Sequence, residues 1–183
     1  TLLLILGLLS FSTAQSNVVT YFNQIKSDPI KLKQFLTQMP KGGDLHYHLA
    51  AGIYAEDILK IAETDAAYGL DIQTLGIIKP TALDAILKVK DITPQSELYA
   101  QIINAWSMKD FVPGKESAHD HFFNTFLKFL TVNFEHRAEF LARALQEAAK
   151  NNLLYLELMD TMDNLSSIKF GALINAMPTF DKK

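Results

Sequence analysis

A mostly helical α/β fold whose first strands run parallel is what this sequence predicts, on three observations. Residues 44–49, Asp-Leu-His-Tyr-His-Leu, form a short apolar-tending run just after Pro40 and the glycines at 42 and 43, so a helix ends and a strand begins there. Leu153 to Met159 is a second apolar run, bounded by Asn151-Asn152, and reads as a buried strand. The residues between them carry helical spacing, and parallel strands need such a crossover. Roughly a hundred residues exceed one crossover, so the middle holds an inserted helical region.

The elements follow in order. Residues 17–39 read as helix: Val19, Phe22 and Ile25 space out one apolar face. Asp28-Pro29 restarts it with Leu32, Phe35 and Leu36, proline being tolerated in a first turn. A helix is expected over roughly 55–68, ended by Gly69. Residues 70–80 alternate weakly around Gly76 and suit a short hairpin or an irregular insertion. Thr93-Pro94 opens a helical stretch reaching Trp106, and 108–115 is a loop with Pro113-Gly114. Two amphipathic helices then cover 117–134, with Phe122, Phe126, Phe129 and Leu130, and the stretch to Lys150, with Phe140, Leu141, Ala144 and Leu145. Residues 164–183 are weakly helical.

Composition narrows the chemistry. The 183 residues are 49% hydrophobic, and seventeen basic against twenty acidic residues leave a charge of −3, too mild for a nucleic-acid or membrane-surface binder. Without cysteine, any metal must be held by His, Asp or Glu. Residues 1–14, an apolar run closed by Ser12-Thr13-Ala14, fit a cleaved secretory signal, too short to span a bilayer comfortably. That predicts a secreted or periplasmic mature chain from residue 15 onward.

The five histidines form two His-x-His pairs plus His136. On a strand, residues i and i+2 point the same way, so His46 and His48 are candidate metal ligands, with zinc suited to imidazole. Hydrogen-bonded strand histidines are the other reading of that pair. His119 and His121 lie near a helix start, where residues two apart diverge by about 200°, so they cannot grip one ion. His119 is a candidate pocket residue, and Phe123, off the apolar stripe, a candidate pocket wall. His136 is expected on a solvated helix surface, and Trp106 as a core anchor.

The block Met39-Pro40-Lys41-Gly42-Gly43-Asp44-Leu45-His46-Tyr47-His48-Leu49 resembles the first signature of the adenosine deaminases, in particular their secreted growth-factor-like and bacterial exported branch. A second block agrees in order: Ala118-His119-Asp120-His121-Phe122-Phe123-Asn124-Thr125-Phe126, then Asn152-Leu153-Leu154-Tyr155-Leu156-Glu157-Leu158. The resemblance covers roughly 17–160 and implies a metal-dependent-hydrolase (β/α)8 TIM barrel, with His46 and His48 leaving the first strand's C-terminal end. It implies Zn2+, completed by another His and an Asp from later strands, and hydrolysis of a purine nucleoside such as adenosine to inosine and ammonia. It further implies a glutamate acid from a His-Ala-Gly-Glu-type motif.

The sequence departs from that pattern: no His-Ala-Gly-Glu, no later ligand histidine and no Asp-Asp-Pro segment occur. A barrel takes about 250 residues, so residues 15–183 are expected to be the N-terminal part of one, inactive alone. Where the family has Asp-Gly or Ser-Gly, this chain has Ala50-Ala51, with Gly52 one later, which removes a side chain expected to hold the ribose. Another amidohydrolase-type metallohydrolase, or a non-catalytic secreted relative, are the alternatives the residues leave open.

Overall fold

In a computed structural model the described residues are 17–79, 87–163 and 166–176. The predicted leader at 1–14 lies outside them. Among the described residues the fold is mixed α/β and mainly helical, with two small sheets, neither closed into a barrel. Two compact units divide the chain, one holding 1–43 and 148–155, the other 44–147 and 156–183.

In the first unit, helix α1 covers 17–25 and α2 spans Pro29–Gln38. Asp28 ends the turn between them because its carboxylate accepts from the Ile30 and Lys31 amides, with Pro29 at the first helical position. The Phe35 ring meets Tyr21 at 6.0 Å and Phe22 at 5.7 Å, so the expected apolar faces do meet. Gly42 then turns the chain at φ +75, a left-handed conformation open to glycine. In the same unit, Asn152, also left-handed at φ 56, donates from its carboxamide to the Thr37 carbonyl at 2.7 Å.

Strands β1 (Gly42–His48) and β5 (Leu153–Met159) pair as a two-stranded sheet. The Lys41 amide donates to Asn152 and the Leu49 amide to Met159, so partner positions advance together and the strands run parallel, as expected. One expectation fails: β5 is not buried, Leu154 being 75% exposed. An apolar run reports what a strand can bury, while covering it takes further elements.

The second unit holds the main core. It contains α3 (Ala55–Ala62), β2 (Gly69–Asp71), β3 (Gly76–Ile78), β4 (Leu87–Lys88), α4 (Glu97–Ala105), α5 (Ala118–Glu135), most of α6 (Arg137–Lys150) and α7 (Ser166–Asn175). Strand β2 pairs antiparallel with both β3 and β4, and β2 with β3 forms a hairpin over 69–78. Helix α3 ends at Ala62, with Glu63 as its cap, rather than at Tyr68, since Tyr68 is fully buried and Gly69 starts β2. Ser96, not Thr93-Pro94, opens α4, its hydroxyl accepting from the Tyr99 amide. Leu59, Tyr68, Ile102, Val132 and Phe140 are buried at the centre. Trp106 anchors there too, donating its indole N–H to Leu75 at 2.7 Å. Truncating Phe140 or Trp106 to alanine removes about 3–5 kcal/mol of stability.

Candidate metal and ligand site

The site forms where β1 ends. Asp44 accepts the His46 amide at 3.0 Å and so fixes the backbone entering the pair. His46 and His48 lie on one strand face, both exposed, with Nε2 atoms at a hydrogen-bonding distance of 3.0 Å, as in the second reading of the pair, and ring centroids 4.9 Å apart. Two zinc–nitrogen bonds of about 2.0–2.1 Å at a tetrahedral angle hold their nitrogens roughly 3.3 Å apart, so the donor set suits one edge of such a centre. Among the described residues no third His, Asp or Glu joins this pair. On the opposite strand face, Tyr47 donates its hydroxyl to the Gly52 carbonyl, and a Cβ at 52 would overlap the Tyr47 ring. Glycine at 52 therefore lets Tyr47 lock the turn after the pair.

Two cavities adjoin His48. The first, about 560 Å³, is walled by His46, His48, Phe122, Phe123, Phe126 and Leu130. Its three phenylalanines meet edge to face, with centroids 5.0 to 6.0 Å apart. Phe123 is thus where the sequence put it, whereas Phe122 and Phe126, expected in the core, are wall residues as well. His119 does not line this cavity. Its side chain is 75% exposed, bonded to its neighbour Asp120, and its ring is tilted 46° to that of Phe123 with centroids 4.7 Å apart, so it touches a wall residue without lining the cavity.

The second cavity, about 310 Å³, lies at the C-terminal ends of both parallel strands and is lined by His48, Ala50, Leu130, Asn133, Asp160 and Thr161 among others. Asp160 pairs with the Arg137 guanidinium at 2.8 Å, and Arg137 also donates to the Thr161 carbonyl at 2.7 Å, so one side chain pins the end of β5. Asn133 and Asp160 escaped the sequence reading. The signal was present: Asn133 is a polar residue on the same helical face as the buried Thr125 and Phe129.

The other histidines each have a partner in the fold. Ser117 caps α5 and puts His119 and His121 in its first turn, where they diverge as expected. His121 Nε2 faces the Ser107 carbonyl at 2.9 Å and Nδ1 faces Glu116 at 2.7 Å. Both acceptors want an N–H, so the Ser107 carbonyl first, and Glu116 after it, raise the His121 pKa against the opposing effect of burial. His136 is not solvated: its side chain is 17% exposed, because α5 ends there and α6 begins at once. Asp65, Glu135 and His136 bring ligand atoms within 4.8 Å of one another, and Lys79 already pairs with both carboxylates, 2.6 Å from Glu135 and 3.7 Å from Asp65. Burial pushes Glu135 upward, and hydrogen bonds from Lys79 and Tyr68 outweigh it, holding the carboxyl below its usual range.

Comparison with family models, with curated proteins and with solved structures found no match to this chain.

Proposed function

We propose that this chain is part of a zinc-dependent, deaminase-type metallohydrolase of the (β/α)8 class that acts on a purine nucleoside, adenosine being the favoured substrate. One observation carries the reading: two imidazole nitrogens converge at 3.0 Å on the rim of an aromatic-walled cavity at a strand's C-terminal end. That end is where parallel α/β folds place their chemistry. His46 and His48 would supply two of the ligands, and no third joins them among the described residues. Bound zinc supplies a water acidic enough to act as a nucleophile near neutral pH. The phenylalanine walls would take the flat face of a purine, while the Tyr47–Gly52 contact fixes the turn that follows the histidine strand. A periplasmic or extracellular location belongs to the same proposal and rests on residues 1–14.

The test is a zinc titration followed by calorimetric adenine and adenosine titrations of wild type, His46→Ala and His48→Ala. One zinc bound in the wild type and lost in both variants supports the reading, as does purine binding that Phe123→Ala weakens. Zinc binding that survives both histidine replacements would sink it. Ammonia release from adenosine is expected only where a third protein ligand joins the two histidines, since a catalytic zinc takes three protein ligands.

A further inference from the structure

The net charge of −3 hides a division. The first unit, residues 1–43 and 148–155, carries five lysines, one aspartate and no arginine, a charge of +4, which leaves −7 on the second unit. The one carboxylate, Asp28, is engaged in capping α2 and lies 3.6 Å from Lys31. Three of the lysines gather in one place. Lys33, Lys41 and Lys150 line a groove of about 510 Å³ floored by Pro29, Leu32 and Leu36, with no acidic residue among its described walls. Lys41 Nζ donates to the Leu36 and Met39 carbonyls, which holds a cation at the open end of α2.

Helical period lets α2 serve two faces. Phe35 meets Tyr21 and Phe22 of α1 on one side. Pro29, Lys33, Leu36 and Thr37 stand at i, i+4, i+7 and i+8 and share the groove side, with Ile30 one turn before Lys33. No residue of α2 is fully buried; Ile30 is 72% exposed and Leu36 41%. Val18, Val19 and Tyr21 on α1 are exposed as well. Lysines interleaved with exposed apolar side chains suit a lipid interface, where the stems run along apolar surface and the ammonium groups reach anionic headgroups. A nucleic acid or an acidic protein face fits less well. Arginine's fork is the better match for single phosphates and carboxylates, and lysine is depleted at protein interfaces. A polyanion also gives Ile30 nothing to bury against.

We propose that the first unit docks on an anionic phospholipid surface through α2, with Lys33, Lys41 and Lys150 at headgroup level and Ile30 and Leu36 inserted beside them. The proposal is independent of the metal and purine reading. The test is co-sedimentation of the 183-residue chain with phosphatidylcholine vesicles, with and without about one-third phosphatidylglycerol. Each lysine near an anionic surface contributes about fivefold in affinity, so the three together should favour the anionic vesicles by about 100-fold. Lys33→Gln and Lys150→Gln should each lower that affinity about fivefold, while Lys115→Gln, on the second unit, should leave it unchanged. Raising salt from about 0.1 to about 1 M should remove most of the preference. Ile30→Ser should weaken binding about tenfold at either salt concentration, since it removes apolar burial and no charge. Circular dichroism should show all four variants folded as the wild type. Equal affinity for both vesicle types, as the apolar residues 1–14 alone would give, overturns the proposal. So does an affinity that Lys115→Gln lowers as much as Lys33→Gln does. Binding to soluble polyphosphate as tight as to the anionic vesicles, and untouched by Ile30→Ser, would make the groove a polyanion site and overturn it too.

Discussion

The chain spells His-x-His twice, and the two copies do opposite things. At the end of β1 the rings of His46 and His48 converge until their Nε2 atoms are 3.0 Å apart. At the start of α5 the same spacing sends His119 into solvent against Phe123 and His121 inward to the Ser107 carbonyl. Period decides it: a strand repeats its side-chain direction every second residue, and a helix turns it through about 200° over the same step. A pair of ligand-type residues is therefore a statement about chemistry only once its secondary structure is known.

That contrast can be broken most sharply with metal. His46→Ala or His48→Ala should weaken zinc binding by at least about 100-fold, beyond the usual effect of losing a residue that merely orients a ligand. His119→Ala should leave it unchanged, and calorimetric titration reads both. Equal losses at the two pairs would erase the distinction. A smaller effect should come from Gly52→Ala, which drives a methyl group into the Tyr47 ring. Destabilisation of about 1–3 kcal/mol in urea unfolding is expected, with zinc affinity lowered because the histidine strand shifts.

Ser117→Ala sharpens the helical side of the comparison. It removes the cap that accepts the Asp120 amide, should cost about 1 kcal/mol, and should not touch zinc binding. The smallest effect is a pH dependence. His121 has a folded pKa above its unfolded value, so its stabilisation is complete below about pH 6.5 and fades as pH rises through the folded value. Urea midpoints measured from pH 6 to 9 should fall more steeply in the wild type than in His121→Gln. Parallel curves would show that the ring is not held protonated.

Much of the helical scaffold was legible because its signals are local. Asp28-Pro29 starts α2, and Ser117 opens α5, at the places their residue types suggest. Where a signal was absent or misleading, the fold differed. Tyr68 reads as the tail of a helix, but its side chain fills the core and the chain leaves α3 early to put it there. His136 reads as surface because its own helix says so, and it is covered because another helix follows without a linker.

The amino-acid order alone determined the parallel strand pair, the convergence of His46 with His48, and the divergence of the second pair, since each follows from backbone period within a few residues. Tertiary structure decided the rest. It turned Phe122 and Phe126 from presumed core into cavity wall, moved His119 outside that wall, and left Asn133 buried beside Asp160 at the strand ends. Those outcomes depend on which helix face meets which strand end, and that contact joins residues too far apart in the chain for any local pattern to encode.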